Sequence, residues 1–191
     1  MQYKVSIIPE NEVPVASAPL FQHILGTYAS ETNKTYATWM LFSADELKFR
    51  PHARSSSVGE IMKHQLLSER RFFSEFLGLP ELPAESILPA ETSPTAFGAR
   101  LADLARPRLQ YLAQRDESWW LGRQPFFDVQ RERIWIFWRR VLHSAHHRTQ
   151  LTVYMRLMGK PVPSSYGPTA DVTWSGADPT LSVDAASRQQ P

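Results

Sequence analysis

Apolar residues recur at three- and four-residue steps through most of the chain, a period that predicts helices rather than strands. From about Pro19 to Phe42 the row Leu20, Ile24, Tyr28, Thr32, Tyr36, Trp39 and Met40 keeps this spacing. Ser17 and Pro19 suit its start, because proline lacks an amide hydrogen that a first helical turn leaves unpaired anyway. A second helix opens at Ser57-Val-Gly-Glu60. This is a capping box, in which the serine oxygen accepts an early backbone amide and the glutamate reaches back. It runs to about Leu77, where Gly78 and Pro80 stop it. Ser93-Pro94 opens a third helix with Phe97, Leu101, Leu104 and Leu109, broken or kinked near Pro107 and resuming through Tyr111. The fourth spans about Val129 to Met158 and ends at Gly159, with Pro161 and Pro163 beyond it.

The segments between these rows read as connections. Tyr3, Val5 and Ile7 alternate ahead of Pro9 and Pro14, which predicts a short extended N-terminal lead-in. Phe49 to Ser55 is a connector, and Trp119 to Phe127 an aromatic-rich loop. Pro80, Pro83, Pro89 and Pro94 make residues 78–94 a long, stiff crossover, one known way of joining helices. Beyond Asp171 the chain is polar, and residues 172–191 are expected to form an irregular, loosely packed tail. No internal repeat and no convincing run of strands is present. The pattern therefore predicts an all-α, four-helix bundle with a long crossover connection, one domain over residues 1–191 with its core at about 17–160.

Composition narrows the function classes. A chain of 191 residues can bury a sizeable core. Twenty-one basic against nineteen acidic residues leave a net charge of +2, which argues against a dedicated nucleic-acid binder. Arg131, Arg133, Arg139 and Arg140 are interleaved with Glu132 and aromatics and read as a solvated helix face. The absence of cysteine excludes disulfides, thiolate ligands and a cysteine nucleophile, and fits a cytoplasmic protein. The first residues lack an apolar stretch suited to a signal peptide. The richest apolar run, Ile134 to Trp138, is far shorter than the ~20 residues a membrane span needs, so no membrane partner is expected.

The candidate chemistry lies in His143-Ser-Ala-His-His147. On a helix, His143 and His147 project about 40° apart and about 6 Å apart along the axis, so two imidazoles can converge on one ion. Zinc peptidases share this spacing but follow the first histidine with a glutamate; here the position is Ser144. His146 converges less well and reads as a flanking residue. A third ligand must come from another helix, and His64, mid-way along the second, is the candidate. A lone helical histidine is by itself more often a surface residue than a ligand. His23 and His52 have no partner at ligand spacing. Gln150 and Tyr154 share the face of the histidine pair, where they can line an open position or orient a ligand. Glu60 lies on the face of His64, although its capping role already explains it.

Together, the residues from Ser57 to His64, the run His143 to Gln150, Tyr154 to Gly159 and Val162 to Gly167 resemble the DinB-like metal-binding proteins, over about residues 17–171. The resemblance implies a four-helix bundle and a three-histidine site at His64, His143 and His147 for zinc or nickel, with iron or manganese as further ions. It also implies a homodimer, and a similarity to thiol-dependent transferases. Three neutral imidazoles leave the ion its full charge and open positions, which would favour either a water ionising near pH 7 or the thiolate form of a bound thiol. The expected function is therefore a metal-dependent enzyme acting on a small molecule. An S-transferase-like reaction with a low-molecular-weight thiol leads; hydrolysis and a non-catalytic metal-binding stress-response module are the alternatives. Trp135, Phe137 and Trp138 point in three directions, which also favours a second subunit.

Overall fold

In the computed structural model, which describes residues 6–167 and 169–171, four long helices carry the chain. α1 spans Gln22–Trp39, α2 Val58–Arg71 and α3 Pro94–Ala113; after a short α4 at Glu117–Leu121, α5 runs Arg133–Leu157. α1 packs against α3 and α5, and α2 against α5 and α3. The predicted tail 172–191, and Tyr3 and Val5 of the lead-in, lie outside the described residues. No described helix is long and apolar enough to cross a membrane.

Local chemistry explains the helix starts. Ser57 Oγ accepts the Glu60 amide at 3.3 Å while the Glu60 carboxylate accepts the Ser57 amide at 2.6 Å, the predicted capping box. Ser93 Oγ accepts the Ala96 amide at 3.1 Å and Pro94 takes the first helical position. α1 is shorter than its apolar row, entered through a 3-10 turn at Pro19–Phe21. α2 widens into a π-helical turn at Phe72–Phe76 before Gly78 adopts a left-handed φ of 76°.

Two expectations are corrected. α3 continues through Pro107, so the expected break is absent: the helical bond that proline removes is offset by packing and by Arg108, the next residue, which is held by two carboxylates. Where a loop running into the last helix was expected, Arg123–Phe126 (β1) and Val129–Glu132 (β2) pair as an antiparallel hairpin, Gln124 opposite Arg131 and Phe126 opposite Val129. Four residues a side, interrupted by Pro125, carry too little alternation to stand out against the helical period that follows. Phe127 opens the turn at φ 53°, a position where glycine is favoured. Holding an L side chain there costs about 1–2 kcal/mol.

The hairpin and α4 also cover the aromatic run of α5. Trp120 meets Phe137 edge-on at 5.7 Å, Phe126 meets Trp135 at 5.3 Å, and His23 stacks on Trp138 at 6.2 Å. The three directions are thus filled largely within one chain, and the run by itself does not call for a second subunit.

The core has two apolar compartments. One gathers Leu25, Tyr28, Phe73, Leu109, Leu112, Trp120 and Phe137; the other gathers Trp39, Met62, Leu66, Phe97, Leu101, Leu151 and Met155. A belt of buried polar side chains runs between them, with Glu31 and Thr35 from α1, Glu69 from α2, Arg108 from α3, and Arg140, Ser144 and Arg148 from α5. Glu69 accepts from Tyr28 at 2.6 Å and pairs with Arg108 at 3.1 Å and with Arg140. Arg108 in turn makes a two-pronged pair with Glu81 of the crossover, at 2.5 and 2.6 Å. Burial alone would raise the Glu69 carboxyl; Arg140 and Arg108 overrule it and hold it below its ordinary value. Arg140 is therefore not solvated, as the sequence suggested. It is 3 % exposed and lies over the Tyr28 ring.

Candidate metal centre

α5 presents two interleaved rows at the level of the polar belt. Arg140, Ser144 and Arg148 succeed one another at four-residue steps and are buried. His143 and His147, each one position earlier, form the neighbouring row and meet α2. α2 repeats the arrangement with buried Gln65 and, beside it, exposed His64. Gln65 fixes the seam at this height: its amide nitrogen donates to the Ser144 carbonyl at 3.2 Å, and its oxygen accepts Trp39 Nε1 at 3.2 Å. α1, α2 and α5 are locked together directly beneath the histidines.

His64, His143 and His147 come together. Their ring centroids are 5.2, 4.6 and 4.6 Å apart, and one ring nitrogen from each lies within 4.8 Å of the others. His64 Nε2 and His143 Nε2 are 3.2 Å apart. Two nitrogens bound to one tetrahedral ion at about 2.0–2.1 Å stand about 3.3 Å apart, so this spacing suits a shared cation. The electrostatics agree with the geometry. Burial lowers the pKa of all three; for His143, burial, the other two imidazoles, Arg140 and Arg139 bring it to about 4. The rings are neutral at pH 7, with lone pairs available for an ion. His64 is exposed and the other two are partly so, leaving the group open to solvent on one side.

Behind His147 runs a chain of hydrogen bonds. His147 Nδ1 lies 3.1 Å from Gln150 Oε1, and Gln150 Nε2 donates to Tyr154 Oη at 3.1 Å. Tyr154 Oη donates to the Ser56 carbonyl at 3.0 Å, beside the first turn of α2. The directions are mutually consistent: Nδ1 carries the hydrogen, and the Nε2 lone pair is free. Gln150 and Tyr154 thus back the ring.

The other candidates fall elsewhere. Glu60 is turned to the Ser57 amide and pairs with Arg50 at 3.2 Å, consistent with its capping role. His146 is exposed, edge-on to His147 at 5.0 Å. His23 Nδ1 contacts the Leu20 carbonyl, and His52 Nδ1 accepts the Arg54 amide. Arg133 Nη1 donates to the Trp119 carbonyl and Arg140 is buried, while Arg131 lies on β2, so the expected basic helix face is reduced on α5 to Arg139. The sequence reading missed Gln65, whose two hydrogen bonds go to residues far away in the chain, and Phe72, whose ring lies 5.8 Å from that of His143. The Val162–Gly167 motif acts at the belt: Tyr166 Oη donates to Glu31 at 2.5 Å and accepts from Arg148, while its ring lies under Lys34.

A family model described as the DinB family matches residues 15–175. Among curated proteins none matches. Of solved structures, a DinB-like protein from Bacillus cereus aligns with a TM-score of 0.64 at 20 % identity, covering 75 % of this chain and 95 % of the other. The DinB-like protein YjoA from Bacillus subtilis aligns with a TM-score of 0.60 at 22 % identity, covering 75 % and 96 %. At such identities the likeness is one of fold.

Proposed function

Because this chain belongs to the DinB family, we propose that His64, His143 and His147 hold one divalent ion, zinc or nickel first, and that the protein is a metal-dependent enzyme acting on a small molecule. The observation that carries this reading is the 3.2 Å approach of two neutral imidazole nitrogens from separate helices, with a third ring against both. We read α1, α2, α3 and α5 as a four-helix bundle with a long crossover; it brings α2 beside α5, and the seam between them carries the three rings.

Such an ion would supply a Lewis-acidic position that favours the ionised form of a bound water or thiol. Thiol-dependent transfer leads on the family resemblance. Among the described residues the metal-ligating group contains histidines alone, Glu60 is engaged at the helix cap, and Glu69 is buried in its ion pairs. An ion on three neutral imidazoles can itself supply hydroxide from a bound water as readily as it holds a thiolate, so hydrolysis stands as the alternative reaction. Gln150 and Tyr154 hold the His147 ring in position.

Metal analysis of protein isolated without added metal is expected to give one ion per chain, and His64→Ala to weaken binding at least a hundredfold. Turnover of electrophiles should require a low-molecular-weight thiol and stop on chelation. Thiol-independent cleavage of esters or amides would establish hydrolysis instead, and retention of metal by His64→Ala would remove the three-histidine centre. The homodimer belongs to the same reading. Leu142, Val153 and Leu157 are exposed on the outer side of α5, within about 60° of one another, and form a stripe that a second copy can cover.

A further inference from the structure

Two rows of side chains lead from the imidazoles toward the β-hairpin. On α5, His143, Arg139 and Trp135 succeed one another at four-residue steps and share one side of the helix. On α2, His64 and Arg71 are two turns apart and share a side likewise. Between the rows lies the Phe72 ring, 5.8 Å from His143 and 6.0 Å from Phe126. The aromatic surface continues outward, with Phe126 4.8 Å from Phe127 and 5.3 Å from Trp135. Phe76 lies 5.2 Å from Phe127, and the Arg71 guanidinium covers both of those rings at 5.5 and 5.4 Å. Phe72, Phe76 and Phe126 are buried, whereas Phe127 and Trp135 present 65 % and 41 % of their surface.

Packing accounts for one side of Phe127, which meets Phe126, Phe76 and the Arg71 guanidinium, but not for its backbone or its open side. Its backbone takes a left-handed conformation at a turn position that favours glycine, and the residue as a whole is mostly exposed. Glycine would relieve the strain there, and a polar residue would suit the exposure. A strained, exposed aromatic at the end of a ring surface that begins at a coordination site has the character of a ligand-binding residue. We infer that the α2–α5 seam between the histidines and the hairpin is a substrate subsite. It takes the aromatic or flat apolar portion of the small molecule whose donor atom meets the ion, with Phe127 as its specificity residue. This rests on the metal-centre reading.

The test uses the cobalt-substituted protein and a series of ω-phenylalkyl hydroxamates with one to four methylenes, each compared with the alkyl hydroxamate of equal chain length. Hydroxamates bind an open ion whichever reaction it serves, and the cobalt absorption bands report binding. In the wild type the phenyl group should raise affinity at least tenfold at one preferred length. Phe127→Gly should reduce that preference to within twofold, leave cobalt and alkyl hydroxamate affinities unchanged, and leave the melting temperature of the metal-free protein equal or higher. A phenyl preference that is absent, or that survives Phe127→Gly, overturns the inference alone. A change of oligomeric state in Phe127→Gly also overturns it, assigning the ring to a subunit interface. Failure to bind cobalt overturns the metal-centre reading and this inference with it.

Discussion

A histidine serves as a ligand when its charge, tautomer and ring orientation are all settled, and in His147 each has a visible cause. Burial and the neighbouring imidazoles keep it neutral, Gln150 takes the Nδ1 hydrogen, and Tyr154 holds Gln150 against the start of α2. Gln150→Leu keeps the volume but removes the acceptor. It should weaken metal binding about 10–100-fold while barely moving the melting temperature, as measured by chelator competition and thermal denaturation. The pair His143 and His147 was legible in the sequence because ligand spacing on one helix is a matter of counting residues. The tautomer was not, because its last support is the Ser56 carbonyl, 98 residues away from Tyr154.

At the scale of elements, the polar belt sets how the helices meet. Glu69 ties α2 to Tyr28 of α1, Arg108 of α3 and Arg140 of α5, so a slip of any one of these helices along its axis breaks an ion pair or hydrogen bond in a dry interior. Glu69→Gln removes the carboxylate that Arg140 pairs with, Arg108 keeping Glu81, and should cost about 3–5 kcal/mol in urea denaturation. The pH dependence follows from the carboxyl lying below its ordinary value of 4.5. The unfolded chain takes up the proton first, so the stabilisation is complete above the ordinary carboxyl range and is lost as pH falls through the lowered folded value. Glu69→Gln should accordingly show a flatter loss of stability in acid than the wild type. The sequence showed Arg140 as a charge on a helix without showing its partner, and charge without partner reads as solvent exposure. The hairpin was missed for a related reason: its strands are held by pairing with each other and by packing on Phe72 and Phe76, contacts that no local period displays.

For the whole molecule, the four long helices were legible because their apolar spacing extends over many turns and their starts carry capping chemistry. The joining of α2 to α5 was suggested by His64 as a candidate third ligand and was carried further by the family resemblance. On the outer side of α5 the proposed dimer is open to a direct check. Leu142→Glu places a charge in the exposed stripe and should convert a dimer to a monomer in sedimentation, with the helical circular dichroism retained. The distance along the chain between the candidate ligands has a further consequence. His64 and His143 are 79 residues apart, and the stretch between them holds the crossover, α3, α4 and the hairpin. A cation gripping both ends would act as a removable cross-link on that large loop, adding stability in proportion to the logarithm of its free concentration. Starved of the ion, the protein would lose that added stability, so that its resistance to unfolding becomes a gauge of the metal supply around it.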